Sequence, residues 1–253
     1  MNELVHPRER VYFVLCLLVS FSVYGLFVVA SFGMGLFFLL IVGVVGLVLH
    51  GWSMGHIRGN GVRISAHQLP EVNRIANELA EGLELSRMPA IYVIQQGGAL
   101  NAFATKFIRR DFVVVYSDVL ELAYQQGEDE VAFVLAHELA HVKRRHVFWH
   151  WLLAPARWMP PLGQAYSRSC EYTCDRIAAH LRPGGAPGGL LVLASGKRLY
   201  RTVNPDAFVE QGESERGFWV WFSEVMSSHP RLPKRIQALE DYRVRSELLA
   251  KAA

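Results

Sequence analysis

The hydrophobic pattern of the chain changes from continuous to periodic after its first fifth. No Asp, Glu, Lys or Arg occurs between Arg10 and Arg58, and residues 11–49 are almost wholly apolar. One crossing of a bilayer takes about 20 apolar residues, so this stretch predicts two spanning helices with a turn at residues 31–35. A signal peptide has an apolar core of only about 7–15 residues, which favours a retained anchor. A buried hairpin of a soluble protein is the alternative.

After this stretch, short periodic patterns predict a mainly helical α+β domain. Apolar residues at helical spacing predict a helix over residues 66–84, opened by a capping box at Ser65. Ser117 is expected to cap a short helix that follows the sheet. The other predicted elements are strands at 91–94, 101–107 and 112–116, the last two forming a hairpin, a short helix at 118–124, a flexible link at 183–189, and helices at 189–201, 206–226 and 231–251. The chain thus divides into a transmembrane hairpin anchor, residues 1–56, and a second domain, residues 57–253.

A sequence His-Glu-x-x-His lies in the strongest helical pattern. The helix opens with acidic residues 128–130 and closes with basic residues 143–146, as the helix dipole favours. His137 and His141 are one turn apart on one face, so both imidazoles can reach one metal ion. Two imidazoles that can bind zinc and a carboxylate, Glu138, beside them are what a zinc hydrolase needs. In such an enzyme zinc lowers the pKa of its bound water to roughly 7, and the carboxylate takes the proton. A core helix with two satisfied histidines is the alternative.

A second helical pattern, around residues 167–176, carries two carboxylates four residues apart. Their shared face lets Glu171 supply a third metal ligand while Asp175 accepts a hydrogen bond from a liganding histidine. A solvated acidic face is the alternative. Cys170 and Cys174 have the same spacing, and packed thiols are favoured over soft metal ligands.

Two further features remain open at this point. Residues 147–161 and 218–222 are rich in aromatic side chains, and the first segment is too short and too interrupted by proline to span a membrane. Such segments suit a membrane interface or a protein core equally well. His229 precedes Pro230, where a histidine is ordinarily a turn residue.

The charge distribution excludes one class of partner and predicts an orientation. The 253 residues have a net charge of +3 without a basic stripe, which argues against nucleic-acid binding. Arg8 and Arg10 precede the apolar stretch, while Arg58 and Arg63 follow it. By the positive-inside rule, both ends of the hairpin are expected in the cytoplasm. The three cysteines do not suggest a disulfide framework.

Four motifs occur in this order along the chain: Asn-Ala-Phe-Ala at 101–104, His-Glu-x-x-His at 137–141, Ser-Arg-x-x-Glu-x-x-x-Asp at 167–175 and His-Pro at 229–230. Together they resemble the motifs of the zinc-dependent membrane endopeptidases of the HtpX heat-shock protease and CAAX prenyl protease type, a gluzincin group. The resemblance implies a zincin-like domain. It also implies a role for each matching residue: His137, His141 and Glu171 as zinc ligands, Glu138 as general base, Asp175 as the acid that accepts a hydrogen bond from a liganding histidine, His229 as transition-state stabiliser, and Asn101, Ala102, Phe103 and Ala104 as the edge strand that binds an extended substrate.

The chain departs from that family in two places. Cys174 stands before Asp175 where the family usually has Ala. HtpX-type members usually place two more spans between the zinc helix and the Glu helix, which would need about 40 residues. Here only residues 142–170 separate the two helices, so a more open cleft is expected.

These observations lead to one functional expectation and two alternatives. We expect an integral membrane zinc endopeptidase in a bacterial inner membrane, with its catalytic domain in the cytoplasm and acting on damaged membrane proteins. Its partners would then be a protein or peptide substrate and the lipid bilayer, with oligomeric state left open. A zinc-binding scaffold without turnover would not need Glu138, and a non-peptide hydrolase would not need the edge strand at 101–104.

Overall fold

A computed structural model describes residues 2–95, 101–122 and 127–252. Its N-terminal part is a pair of apolar helices, α1 (Pro7–Ala30) and α2 (Met34–Asn60), which turn where the sequence predicts. Gly33 sits in this turn with φ of 88°, a left-handed conformation that glycine adopts at little cost. Both helices are long and apolar enough to cross a membrane. The most hydrophobic windows of α1 and α2 are only 11% and 6% buried, which argues against a hairpin buried in a soluble core.

A small mixed sheet follows the helical pair. Its strands are β1 (Val62–Arg63), β2 (Ala90–Ile94), β3 (Ala102–Phe107) and β4 (Arg110–Tyr116), in the order β1-β2-β4-β3. The hairpin of β3 and β4 is antiparallel, as predicted. The parallel pairing of β2 with β4 was not predicted, because it depends on a long-range contact. The order leaves β3 at one edge of the described sheet.

The helix α3 (Pro70–Gly82) begins four residues later than predicted. Ser65 Oγ does accept a hydrogen bond from the Gln68 amide, at 3.2 Å, but this closes a turn and does not cap a helix. Leu69 then has φ of 58°, and a residue before proline is disfavoured in the helical region. The predicted start at residue 66 is therefore wrong, and Pro70 sets the start.

The short helix α4 (Ser117–Leu120) also differs from the prediction. Tyr116 is its N-cap and Ser117 is its first helical residue, with no side-chain cap bond. The predicted cap at Ser117 is therefore wrong. The predicted helix end, residue 124, lies outside the described residues.

The helix α5 (Glu128–Lys143), which carries the two histidines, runs through the centre of the part that follows the two apolar helices. Every residue from 131 to 140 is buried. The helices α3, α8 (Leu162–Leu181) and α9 (Ala186–Leu199) pack around α5. Between α5 and α8 lie two short helices, α6 (His146–Leu152) and α7 (Ala154–Arg157). The mainly helical α+β fold with a small sheet beside α5 is confirmed.

The glycine-rich stretch 183–189 is not the flexible link that its composition predicts. It forms a 3-10 turn, Pro183–Gly185, and the first turn of α9. A Cβ on Gly185 would lie 2.0 Å from the Asp129 carbonyl oxygen, and one on Gly189 would lie 2.6 Å from Phe133. These glycines let the backbone approach the start of α5 closely, so their role is packing.

The C-terminal part is helical, with one break that was not predicted. The single helix expected at 206–226 is two helices, α10 (Pro205–Ser214) and α11 (Phe218–Met226). Gly217 between them has φ of 132°, which ends the helical path. The last helix, α12 (Leu232–Ala252), follows the prediction and packs on α8, α9 and α10.

Candidate metal centre

Three predicted ligands converge where α5 meets α8. His137 and His141 extend from successive turns of α5, and Glu171 extends from the middle of α8. One ligand atom from each residue lies within 4.8 Å of the other two. The two Nε2 atoms are 3.2 Å apart, and each is 3.3–3.4 Å from a Glu171 carboxylate oxygen. The structure thus brings together three residues that are up to 34 positions apart in the chain.

The atoms at this point are electron-pair donors, as a metal requires. Asp175 Oδ1 lies 2.9 Å from His137 Nδ1, which places the ring proton on Nδ1 and turns the Nε2 lone pair inward. Glu171 Oε2 is buried and has no hydrogen-bond partner among the described residues. Two imidazole nitrogens and a carboxylate facing one another are satisfied by a cation between them, so the residues present fit a metal ion.

Asp175 is held from two sides. It is only 1% exposed, and Arg235 of α12 donates one hydrogen bond to each of its oxygens, at 2.7 and 2.6 Å. Burial raises the pKa of the Asp175 carboxyl, but the charge and hydrogen bonds of Arg235 outweigh burial and hold that pKa below its usual range. Burial likewise lowers the pKa of His137, yet the nearby carboxylates of Asp175 and Glu171 raise it to about 10, so a metal ion bound here would take the place of a proton on Nε2.

Arg235 is a site residue that the sequence motifs did not point to. It is 4% exposed, and its Nη1 lies 3.3 Å from Glu171 Oε2, so it contacts both carboxylates of α8. A signal was present in the sequence: Arg235 is four residues before Leu239, on the buried face of α12. A charged side chain on such a face is almost never left unpaired, so it predicts a buried carboxylate partner.

A second network joins α1 to His141, one of the predicted ligands. His146 Nδ1 lies 3.0 Å from His141 Nδ1, and His146 Nε2 lies 3.4 Å from Glu9 Oε1. Glu9, in the first turns of α1, also accepts hydrogen bonds from Arg144 Nη2, at 2.8 Å, and from Thr173 Oγ1. Sequence reasoning missed this network, because Glu9 and Thr173 are 164 residues apart.

Most of the other predicted site residues line the cleft that contains these ligands. Its volume is about 250 Å³, and Glu138, His229 and residues 101–104 are among its walls. Glu138 is buried beside the two histidines of α5. The side chain of His229 is 63% exposed at the mouth, with Nε2 3.7 Å from Glu171 Oε1. Asp175 stands behind His137, and the edge strand β3 runs along one wall.

The cysteines of α8 lie near the site but are buried. Cys170 and Cys174 are both free thiols, and Cys174 Sγ is 3.7 Å from His146 Nδ1. Burial raises the pKa of both thiols well above the usual value, so both are protonated. A buried neutral thiol behaves as a small apolar side chain, which favours packing over metal binding.

A comparison with protein families identifies the group to which this site belongs. The model described as "Peptidase family M48" matches residues 66–156 and 148–243. The chain belongs to peptidase family M48. These residues include both histidines of α5, Glu171, Asp175, His229 and Arg235, so the family resemblance drawn from the four motifs is confirmed.

Curated relatives and a solved structure agree with this membership. "Plastoglobule-localized metallopeptidase 48, chloroplastic" of Arabidopsis thaliana is 32% identical over 62% of this chain and 49% of that protein. A "Protease HtpX homolog" of Gemmatimonas aurantiaca is 27% identical over 80% of this chain and 86% of that protein. The crystal structure of S. mikatae Ste24p has the same fold, with a TM-score of 0.52 and 15% identity over 88% of this chain and 61% of that chain. The chain thus spans about half the length of the Arabidopsis relative.

Proposed function

We propose that this chain is a zinc-dependent endopeptidase anchored in a membrane. One observation carries the proposal: three ligand atoms converge within 4.8 Å in a cleft that also holds Glu138 and the edge strand β3. Two imidazoles and one carboxylate are a common ligand set of catalytic zinc, because three protein ligands leave a position for water or substrate. When bound, zinc would lower the pKa of a water molecule and polarise the peptide carbonyl.

Residues of the chain would carry out proton transfer, orient a ligand and stabilise the developing negative charge. Glu138 takes the proton of the attacking water and later delivers it to the leaving amine. Asp175 keeps His137 in the tautomer that presents Nε2, and Arg235 holds Asp175 in place through two hydrogen bonds. His229, at the cleft mouth, donates a hydrogen bond to the carbonyl oxygen as negative charge develops there.

The edge strand β3 favours a peptide substrate over a small molecule. On one side β3 is paired with β4, and its other side borders the cleft. An extended peptide that adds to such an edge is held by main-chain hydrogen bonds, which require no particular side-chain sequence. Residues 101–104 would thereby lay the scissile bond across the metal centre. An inactive zinc-binding scaffold is the alternative, and Glu138 argues against it because a scaffold has no use for a buried carboxylate at that place.

The membrane assignment rests on the two apolar helices. We infer that residues 1–56 form the anchor and residues 57–253 the peptidase domain, placed in the cytoplasm by the arginines that flank the hairpin. The match to a bacterial HtpX homolog supports a bacterial inner membrane. We infer that the active site lies close to the membrane surface, and this position favours damaged membrane proteins as substrates.

The test is cleavage of casein by the purified full-length chain in detergent. The parent should cleave casein, lose activity with a chelator and regain it with zinc. Glu138→Gln should bind zinc like the parent without cleaving, since Glu138 moves protons and does not bind the metal. Glu81→Gln, a change at an exposed position of α3, is the matched control and should be active. A parent that binds zinc and leaves casein intact would support the scaffold, and full activity of Glu138→Gln would refute the assigned base.

A further inference from the structure

One face of α1 carries polar side chains in an otherwise apolar helix. Cys16, Ser20 and Tyr24 are spaced by four residues and lie on one stripe. All three contact the backbone of residues 148–162, which we call the α6–α7 segment. Tyr24 Oη donates to the Leu152 carbonyl at 3.4 Å, Ser20 Oγ accepts from the Ala156 amide at 3.2 Å, and Cys16 Sγ lies 4.0 Å from the Leu162 carbonyl.

These contacts extend along α1 well beyond its N-terminal turn. The Phe13 ring meets the Trp149 ring at 4.8 Å, and Tyr24 is eleven residues further on, or about 16 Å along a helix with 1.5 Å rise per residue. The Trp151 ring of α6 lies 5.8 Å from the His50 ring of α2 and beside Gly46 of the same helix, α2. The α6–α7 segment therefore lies level with the charge-free stretch of both helices.

The hydrogen bonds from α1 meet the requirement that a bilayer imposes on a short helix. In hydrocarbon, every backbone amide and carbonyl must be satisfied within the protein. The ends of α6 and α7 leave such groups without partners in their own helices. Leu152 is the last residue of α6, and Ala156 lies in the first turn of α7. Tyr24 and Ser20 thus contact the backbone where α6 ends and α7 begins, and Cys16 contacts the first residue of α8.

The outer face of the α6–α7 segment is apolar, and its ionisable side chains turn inward. Trp158 is 86% exposed, Trp151 57% and Met159 50%. His150 and Arg157 instead line the cleft of the metal centre. An apolar surface outside and polar groups on a shielded side are the arrangement of a protein element in lipid.

We propose that residues 148–162 form a re-entrant helical pair embedded in the bilayer beside α1, with Trp151, Trp158 and Met159 against lipid acyl chains. The proposal rests on the membrane anchor of the proposed function. The pair enters and leaves on the same side, since α6 and α7 are too short to cross. The metal centre, which lies between α5 and α8, is thereby held at the membrane surface, with one wall of its cleft built from a membrane-inserted element.

Fluorescence quenching by labelled lipids tests this placement in the full-length chain. Trp158→Cys and Met159→Cys are each labelled with an environment-sensitive fluorophore and reconstituted into phosphatidylcholine vesicles. The quencher is a nitroxide, carried either on the lipid headgroup or on carbon 5 of the acyl chain. Val42→Cys on α2 is the control for the anchor, and Glu81→Cys on α3 is the control for water. The native cysteines are buried, so the unsubstituted chain measures background labelling.

The proposal expects both segment probes to be quenched more by the acyl-chain nitroxide than by the headgroup nitroxide, as at Val42. Stronger quenching from the headgroup would place the segment on the membrane surface and overturn insertion. Segment probes that behave like Glu81 while Val42 is quenched would overturn it too, with the anchor intact. A Val42 probe without quenching would refute the anchor itself, and the proposal with it. Agreement between positions 158 and 159 guards against a local effect of one substitution.

Discussion

Arg235 and Asp175 form a two-bonded ion pair behind the metal centre, with N–O distances of 2.6 and 2.7 Å and both side chains buried. The pair connects α12 to α8, 60 residues apart in the chain. The pair also helps to fix the position of His137, because Asp175 contacts His137, which faces the other two predicted ligands. The last helix is therefore part of the support of the site.

Arg235→Met should destabilise the fold strongly. Removing one partner leaves the Asp175 carboxylate buried and unpaired, which typically costs about 3–5 kcal/mol. Chemical denaturation of the detergent-solubilised protein measures this loss. Arg198→Met, at an exposed position on α9, should cost little. Equal stability of both variants would show that Arg235 is not needed for the fold.

Zinc affinity should distinguish the metal ligands from the residue that orients one of them. Glu171→Ala should lose most of the bound zinc, whereas Asp175→Asn should bind it about 10–100-fold more weakly, as is typical for loss of a group that orients a liganding histidine. Competition against a chelating dye measures both affinities. If Glu171→Ala binds zinc like the parent, the third ligand lies elsewhere. An unchanged affinity in Asp175→Asn would leave its contact with His137 without a role in binding.

His229→Ala tests the proposed oxyanion donor. A donor placed against the developing charge is worth about a hundred- to thousandfold in rate, so kcat should fall far more than KM rises. The side chain of His229 is mostly exposed, so zinc content and melting temperature should remain near those of the parent. Earlier melting with an unchanged kcat on the folded fraction would make His229 a structural turn residue.

His6 should make stability depend on pH below neutrality. It caps α1 and stacks on Tyr172. Burial and the positive charges of Arg176 and Arg8 lower the pKa of His6 from 6.5 to about 4, although the negative charge of Glu9 acts in the opposite direction. The unfolded chain then binds the extra proton first. The contribution is therefore present above about pH 6.5 and is lost as pH falls toward 4.

The measurement is the melting temperature at pH 7.5 and pH 5. His6→Asn retains a side-chain acceptor for the helix cap but does not titrate, so its melting temperature should fall less between the two values than that of the parent. His67→Asn, at an exposed turn position, should behave like the parent. Equal falls in the His6→Asn variant and the parent would exclude His6 as the cause.

The orientation of the anchor is testable with a fusion after residue 253. Arg8 and Arg10 on one side of the hairpin and Arg58 and Arg63 on the other predict that both ends face the cytoplasm. A reporter enzyme that works only in the periplasm should be inactive in this fusion, and one that needs the cytoplasm should be active. The reverse result would move the proposed site of action to the other face.

Features that depend on neighbouring residues could be predicted from the sequence alone. The absence of charge over residues 11–49 specified two long apolar helices, and spacing by four placed His137 and His141 on one face of α5. The hairpin of β3 and β4 also followed from local pattern. In each case the physical cause lies within one element or across one turn, so a linear reading can find it.

Long-range packing sets which of these elements meet. It moved the start of α3 to Pro70, packed the glycines of 183–189 against α5, and paired β2 with β4. It also brought Arg235 to Asp175 and Glu9 to His146, pairs that no periodicity predicts. A buried charge needs a partner, but the choice of that partner depends on how separate helices pack in space, which no local pattern contains.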